Sequence, residues 1–105
     1  MKNQLVVQLP LSESTDFDTL ISIEDGLAEL FKDNRQVVID GHDIGQGRFN
    51  VFVHSDEPWP AVLGRIRAFL EFRGVLDGAV IATRPLDGEE YQVLWPSDHE
   101  HEFQL

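Results

Sequence analysis

Cysteine is absent from this chain of 105 residues. Disulfides, thiolate metal ligands and a thiol nucleophile are therefore excluded, and the composition suits a reducing compartment. Basic residues are scarce: eight Lys and Arg stand against nineteen Asp and Glu, a net charge of −11 with His neutral. That balance repels phosphate backbones and anionic lipid, so nucleic acid and membrane are discounted as partners. Long apolar runs are also missing. No segment approaches the ~20 residues of a membrane span, and the apolar run in M-K-N-Q-L-V-V-Q-L-P is too short for a signal peptide. The expectation is a soluble, cytoplasmic protein.

What is present is the material for one domain spanning residues 1–105. The apolar content of 42% and seven phenylalanines are enough for a core. The acids are unevenly spread. Six of them (Asp87, Glu89, Glu90, Asp98, Glu100, Glu102) fall between Pro85 and Leu105, where no Lys or Arg occurs. Arg65, Arg67 and Arg73 cluster instead in one helical segment. A basic partner would be steered toward such a chain at low salt.

The apolar periods alternate between two and 3.6. Leu5, Val7 and Leu9 mark a strand stopped by Pro10. Phe17, Leu20, Ile21, Leu27, Leu30 and Phe31 recur as one helical face, with Ser14, Thr15 or Asp16 as cap. Gly26 lies inside that helix, and close packing against the sheet would account for it. Val37–Ile39 reads as a short strand, and Phe49, Val51 and Val53 as another. A second helix follows Asp56 as cap, tolerates Pro58 and Pro60 in its first turn, buries Val62, Leu63, Ile66, Phe69 and Leu70, and ends at Gly74. Ala79–Thr83 and Tyr91–Trp95 are the last strands. The tail from residue 97 is expected to be loosely held.

This order predicts an α+β, ferredoxin-like βαββαβ two-layer sandwich with an extra C-terminal hairpin strand. Leu5, Val7, Leu9, Val37, Ile39, Phe49, Val51 and Val53 should face the helices. Val6, Gln8, Val38, Asp40, Asn50, Phe52 and His54 should face away, toward solvent, a partner or a second copy of the chain.

The stretch D-G-H-D-I-G-Q-G, from Asp40 to Gly47, reads as a glycine loop between two strands. Asp40, His42 and Asp43 lie in it, and Asp40 is expected to accept backbone N–H groups. His54 should lie at the far end of the next strand, away from the loop. Two ligands are fewer than a zinc site uses, so no metal is expected. A strand rather than a helix follows the glycines, which argues against a phosphate cradle. His99 and His101 sit in an acidic tail read as solvated. No cofactor is required by any of these patterns. Trp59 and Trp95, each before a proline, are candidate aromatic anchors.

D-G-H-D-I-G-Q-G-R-F-N-V-F, with G-V-L-D-G-A (Gly74–Ala79) and Y-Q-V-L-W-P (Tyr91–Pro96), resembles a family of small uncharacterised bacterial proteins, over about Asp16 to Pro96. The resemblance implies a similar fold and carries over no activity, cofactor or catalytic residue. Composition favours a small acidic protein-binding module, in its concrete form an immunity protein against a basic toxin such as a nuclease. Asp40, His42, Asp43, Asn50, Phe52, His54, Trp59, Trp95, Asp98 and Glu100 are the candidate contacts. The alternative is a cofactor-free enzyme or small-ligand binder using Asp40 and His42.

Overall fold

The computed structural model describes every residue except Ser14, Glu100 and His101. The readings placed on those three lie outside the described residues. Among the described residues the elements run β1 (Asn3–Pro10), α1 (Phe17–Leu30), β2 (Val37–Gly45), β3 (Arg48–Ser55), α2 (Trp59–Phe72), β4 (Val80–Pro85) and β5 (Gln92–Trp95). The strands form an α+β fold's single sheet in the order β2-β3-β1-β4-β5, with every neighbouring pair antiparallel.

Both helices cover the same face of this sheet. Leu20, Ile23 and Leu27 of α1 join Val62, Ile66 and Leu70 of α2 in one core with Leu5, Val7, Leu9, Phe49, Val51, Val53 and Ile81. The strand residues of that core pair across β1, with Leu5 opposite Val53, Val7 opposite Val51 and Leu9 opposite Phe49. Alternate residues must then point the other way. Val37 joins the core as expected, while Ile39 packs against it only partly buried.

Helix α1 starts at Asp16, whose side chain accepts the Thr19 N–H at 2.9 Å. Helix α2 departs from the expected start. Its cap position is Pro58 and carries no side-chain cap bond. Residues before proline avoid the helical region, so Glu57 cannot begin the helix and Asp56 is left outside it. Gly26 is explained by the other helix rather than by the sheet. A Cβ there would meet the ring of Phe69 on α2 at 2.4 Å.

The largest departure from expectation is the glycine loop, which is mostly strand. β2 continues to Gly45, and the turn shrinks to Gln46 and Gly47, both at positive φ (54° and 74°). Two such residues between paired Gly45 and Arg48 match the twist of antiparallel strands. The register slips between Ile39 and His42, which leaves Asp40 and Gly41 opposite Phe52 as a β-bulge. Gly41 takes φ 106°, a conformation that costs a side-chain-bearing residue.

Gln46 carries an avoidable penalty, since left-handed backbone disfavours most side chains but tolerates Asn. Gln46→Asn should stabilise the protein by about 0.5–1 kcal/mol, read as a Tm rise of roughly 2–6 °C. Asp16 yields an acid-limb prediction. The backbone N–H of Thr19, then its side chain, hold the Asp16 carboxyl below its ordinary pKa. A lowered folded pKa gives stability that is present above the unfolded value and lost as pH falls through the folded one. Asp16→Asn should keep the cap yet flatten that part of the acid limb, whereas Asp16→Ala should lower Tm at neutral pH. Thermal melts from neutral to acid pH check both.

Candidate functional site

The bulge decides where the motif's side chains go. Before it, Val37 and Ile39 share the helix face with Ser55 and Val53. After it, His42 pairs with Val51 and Ile44 with Phe49, so the even-numbered residues now take that face. His42 accordingly reaches α1, with Nδ1 2.8 Å from Glu24 Oε1. Its ring stacks on Phe49 at 4.7 Å and meets Phe17 edge-on at 6.3 Å.

Asp40 and Asp43 go the other way. A regular strand would put residues three apart on opposite faces. The extra residue of the bulge sets both carboxylates on the face away from the helices. Asp43 Oδ1 accepts the amide of Asn50 at 2.9 Å. Asp40 Oδ2 lies 3.7 Å from His54 Nε2. Two expectations are thereby corrected. Asp40 faces His54 rather than the N–H groups of a glycine turn, and His54 is near Asp40 rather than remote from it. Asp40 and His42, offered together as a ligand or catalytic pair, stand on opposite faces of the sheet.

Two polar ladders run across the face that bears Asp40 and Asp43. One joins three strands: Gln8 Nε2 donates to Asn50 Oδ1 at 3.0 Å, and Asn50 in turn donates to Asp43. The other begins at Tyr91 and Arg84. Both donate to Gln4 Oε1, at 2.6 and 3.2 Å. That orients the Gln4 amide so that its Nε2 faces His54 Nε2 at 3.2 Å. The amide can donate there to the tautomer whose proton is on Nδ1. Between the ladders lies an apolar row, in which Val6 stands opposite both Phe52 and Ala82, and Ala82 opposite Val93.

This face is only partly open. Val6, Ala82 and Asn50 have no exposed surface. On the β2 side, Val38 is 45% exposed and the Asp40 side chain 58%. Phe52 is half-buried and Asp43 exposed. Asp40, Asp43, Asn50, Phe52 and His54 thus come together. Trp59 and Trp95 do not join them, because both pack against the helix-side core. Arg67 lies over the Trp95 ring at 4.0 Å. Asp98 is exposed in the turn after β5, and Glu100 lies outside the described residues. Gln4 and Gln8 were not among the candidate contacts read from the sequence, although Gln8 was placed on this face, and neither were Arg48, Arg84 and Tyr91. The signal for the first two was the spacing Gln4-Val6-Gln8 on one side of β1.

Among the described residues, no group of three or more His, Cys, Asp or Glu is placed to hold a metal, and no helix is long and apolar enough to cross a membrane. Compared with protein-family models, curated proteins and solved structures, the chain matches none.

Asn50 is the fully buried middle of the first ladder. Asn50→Ala removes a donor and an acceptor at once and should cost roughly 1–3 kcal/mol. Urea unfolding of the variant, with m unchanged, measures the loss.

Proposed function

We propose that the protein is a small acidic binding module that recognises a basic protein through the β2–β3 half of the exposed sheet face. The observation that carries this reading is the arrangement the bulge creates. Two carboxylates, Asp40 and Asp43, share one side of the sheet with the apolar side chains of Val38 and Phe52, Asp40 lying between Val38 and Asp43 and opposite Phe52. Carboxylates speed the encounter, and apolar side chains beside them supply affinity. Net charge of −11 adds attraction at longer range.

The concrete form of the proposal is an immunity protein that inhibits a basic toxin, such as a nuclease, in the cytoplasm. Small size, acidity and apolar anchors suit that task. Exposed Asp98, beyond β5 at the edge opposite β2, adds to the overall negative charge. The fold we assign is the ferredoxin-like βαββαβ sandwich with β5 added at one edge. The order β2-β3-β1-β4 supports it. The resemblance to small bacterial proteins bearing D-G-H-D-I-G-x-G fits the same reading, since Gly41 and Gly47 serve the bulge and the turn.

Immobilised protein should capture a basic protein from the producing cells, and its on-rate should fall as salt rises. Asp40→Asn with Asp43→Asn should slow association on the order of tenfold at low salt and converge with the parent at high salt. Val38→Lys should raise the off-rate. Binding indifferent to all three changes would move the interface elsewhere, and a second copy of the chain as the captured species would make this face a homodimer contact.

A further inference from the structure

Val6 and Ala82 lie on the sheet face opposite the helices, yet neither has any exposed surface. An antiparallel sheet can leave such a face to water, but Val6 and Ala82 are occluded. The described end of the tail crosses this half of the face. The Phe103 ring packs on Tyr91 with centroids 5.1 Å apart. The Gln104 carbonyl accepts from Gln8 Nε2 at 2.7 Å and from Arg48 Nη1 at 2.9 Å. Gln8 thus ends its ladder on a tail carbonyl. Residues 102–105 belong to no strand or helix.

These anchors use little that is particular to the tail. One is an aromatic ring, the other a main-chain carbonyl one residue later. Any extended segment with an aromatic side chain in that relation offers the same pair. We propose that Tyr91, Gln8 and Arg48 form a docking cradle for such an extended aromatic segment of a partner protein, and that residues 102–105 are its resident occupant, displaced when the partner binds. A segment outside the ladder opens at lower free energy than any strand of the sheet. Its release uncovers the apolar row of Val6 and Ala82, which a partner then covers. The proposal extends the docking reading of this face to its β1–β4 half. Its test leaves Asp40 and Asp43 intact, so a failure here would leave capture of a basic partner standing.

Full-length Phe103→Ala, with its fold checked by circular dichroism, is titrated with a synthetic peptide of the sequence of residues 97–105. Amide and side-chain NMR shifts should saturate at Gln8, Arg48 and Tyr91. The parent protein should bind the same peptide about tenfold more weakly, as expected if its cradle is free about a tenth of the time. A peptide with Ala at the Phe position should bind neither protein. Phe103→Leu keeps an apolar side chain, covers the case of an unfolded Phe103→Ala, and should show an intermediate gain. The proposal is overturned by absence of saturable binding, by equal affinity of parent and variant, or by equal binding of the ring-less peptide. A concentration-dependent dimer in which Phe103 of one copy contacts Tyr91 of another would also overturn it, assigning the cradle to a second copy.

Discussion

One extra residue in β2 organises the surface of this protein. A strand alternates its side chains strictly, so inserting a residue exchanges the faces of everything beyond it. The bulge at Asp40 and Gly41 does this midway along the motif. His42 and Ile44 turn toward the helices, where the His42 ring stacks on Phe49 and bonds Glu24. Asp43 turns to the other face and closes a ladder with Asn50. Without the bulge, Asp40 and Asp43 would oppose each other across the sheet, and only one of them would share a face with Val38 and Phe52. Gly41 makes the bulge inexpensive, because its φ of 106° would strain any larger residue.

The second organising feature is how the few cations are used. Arg65 lies over Phe31, Arg67 over Trp95 and Arg73 over Phe69. Arg84 donates to the carbonyls of Pro85, Leu86 and Gly88, which fixes the turn before β5. Arg48 holds the Gln104 carbonyl. Most of the eight Lys and Arg are thereby engaged within the molecule, while many of the nineteen acids remain exposed. These contacts leave the Arg charges in place, so the net charge that a partner meets remains −11. Stacked guanidinium groups also carry their charge across apolar rings, covering Phe31 and Trp95, although the Nε of Arg67 is buried there with no hydrogen-bond partner among the described residues.

Much of the core was legible in the sequence because its periods are regular. Leu5, Val7 and Leu9 alternate cleanly, and Leu20, Leu27, Val62, Ile66 and Leu70 repeat at helical steps. All of them are buried. The site was less legible, for a physical reason. Three glycines and two aspartates within eight residues carry the composition of a loop, yet backbone pairing with β3 overrides that propensity and extends β2 to Gly45. A bulge leaves only a glycine as its trace, and that trace cannot distinguish a bulge from a turn. The partnership of Asp43 with Asn50 depends on the resulting register and so was hidden as well. The start of α2 was misread because Asp56 is a good cap by type, whereas Pro58 governs the backbone around it.

Everything said of the surface follows from the claim that His42 and Asp43 face opposite ways. Through-space proton contacts of the His42 ring, measured by NMR on the intact protein, test it most directly. The account predicts contacts from the His42 ring to the rings of Phe49 and Phe17, and from the Asn50 side-chain amide to Asp43. Contacts from the His42 ring to Phe52 or His54 would contradict it, returning the histidine to the face that bears Asp40.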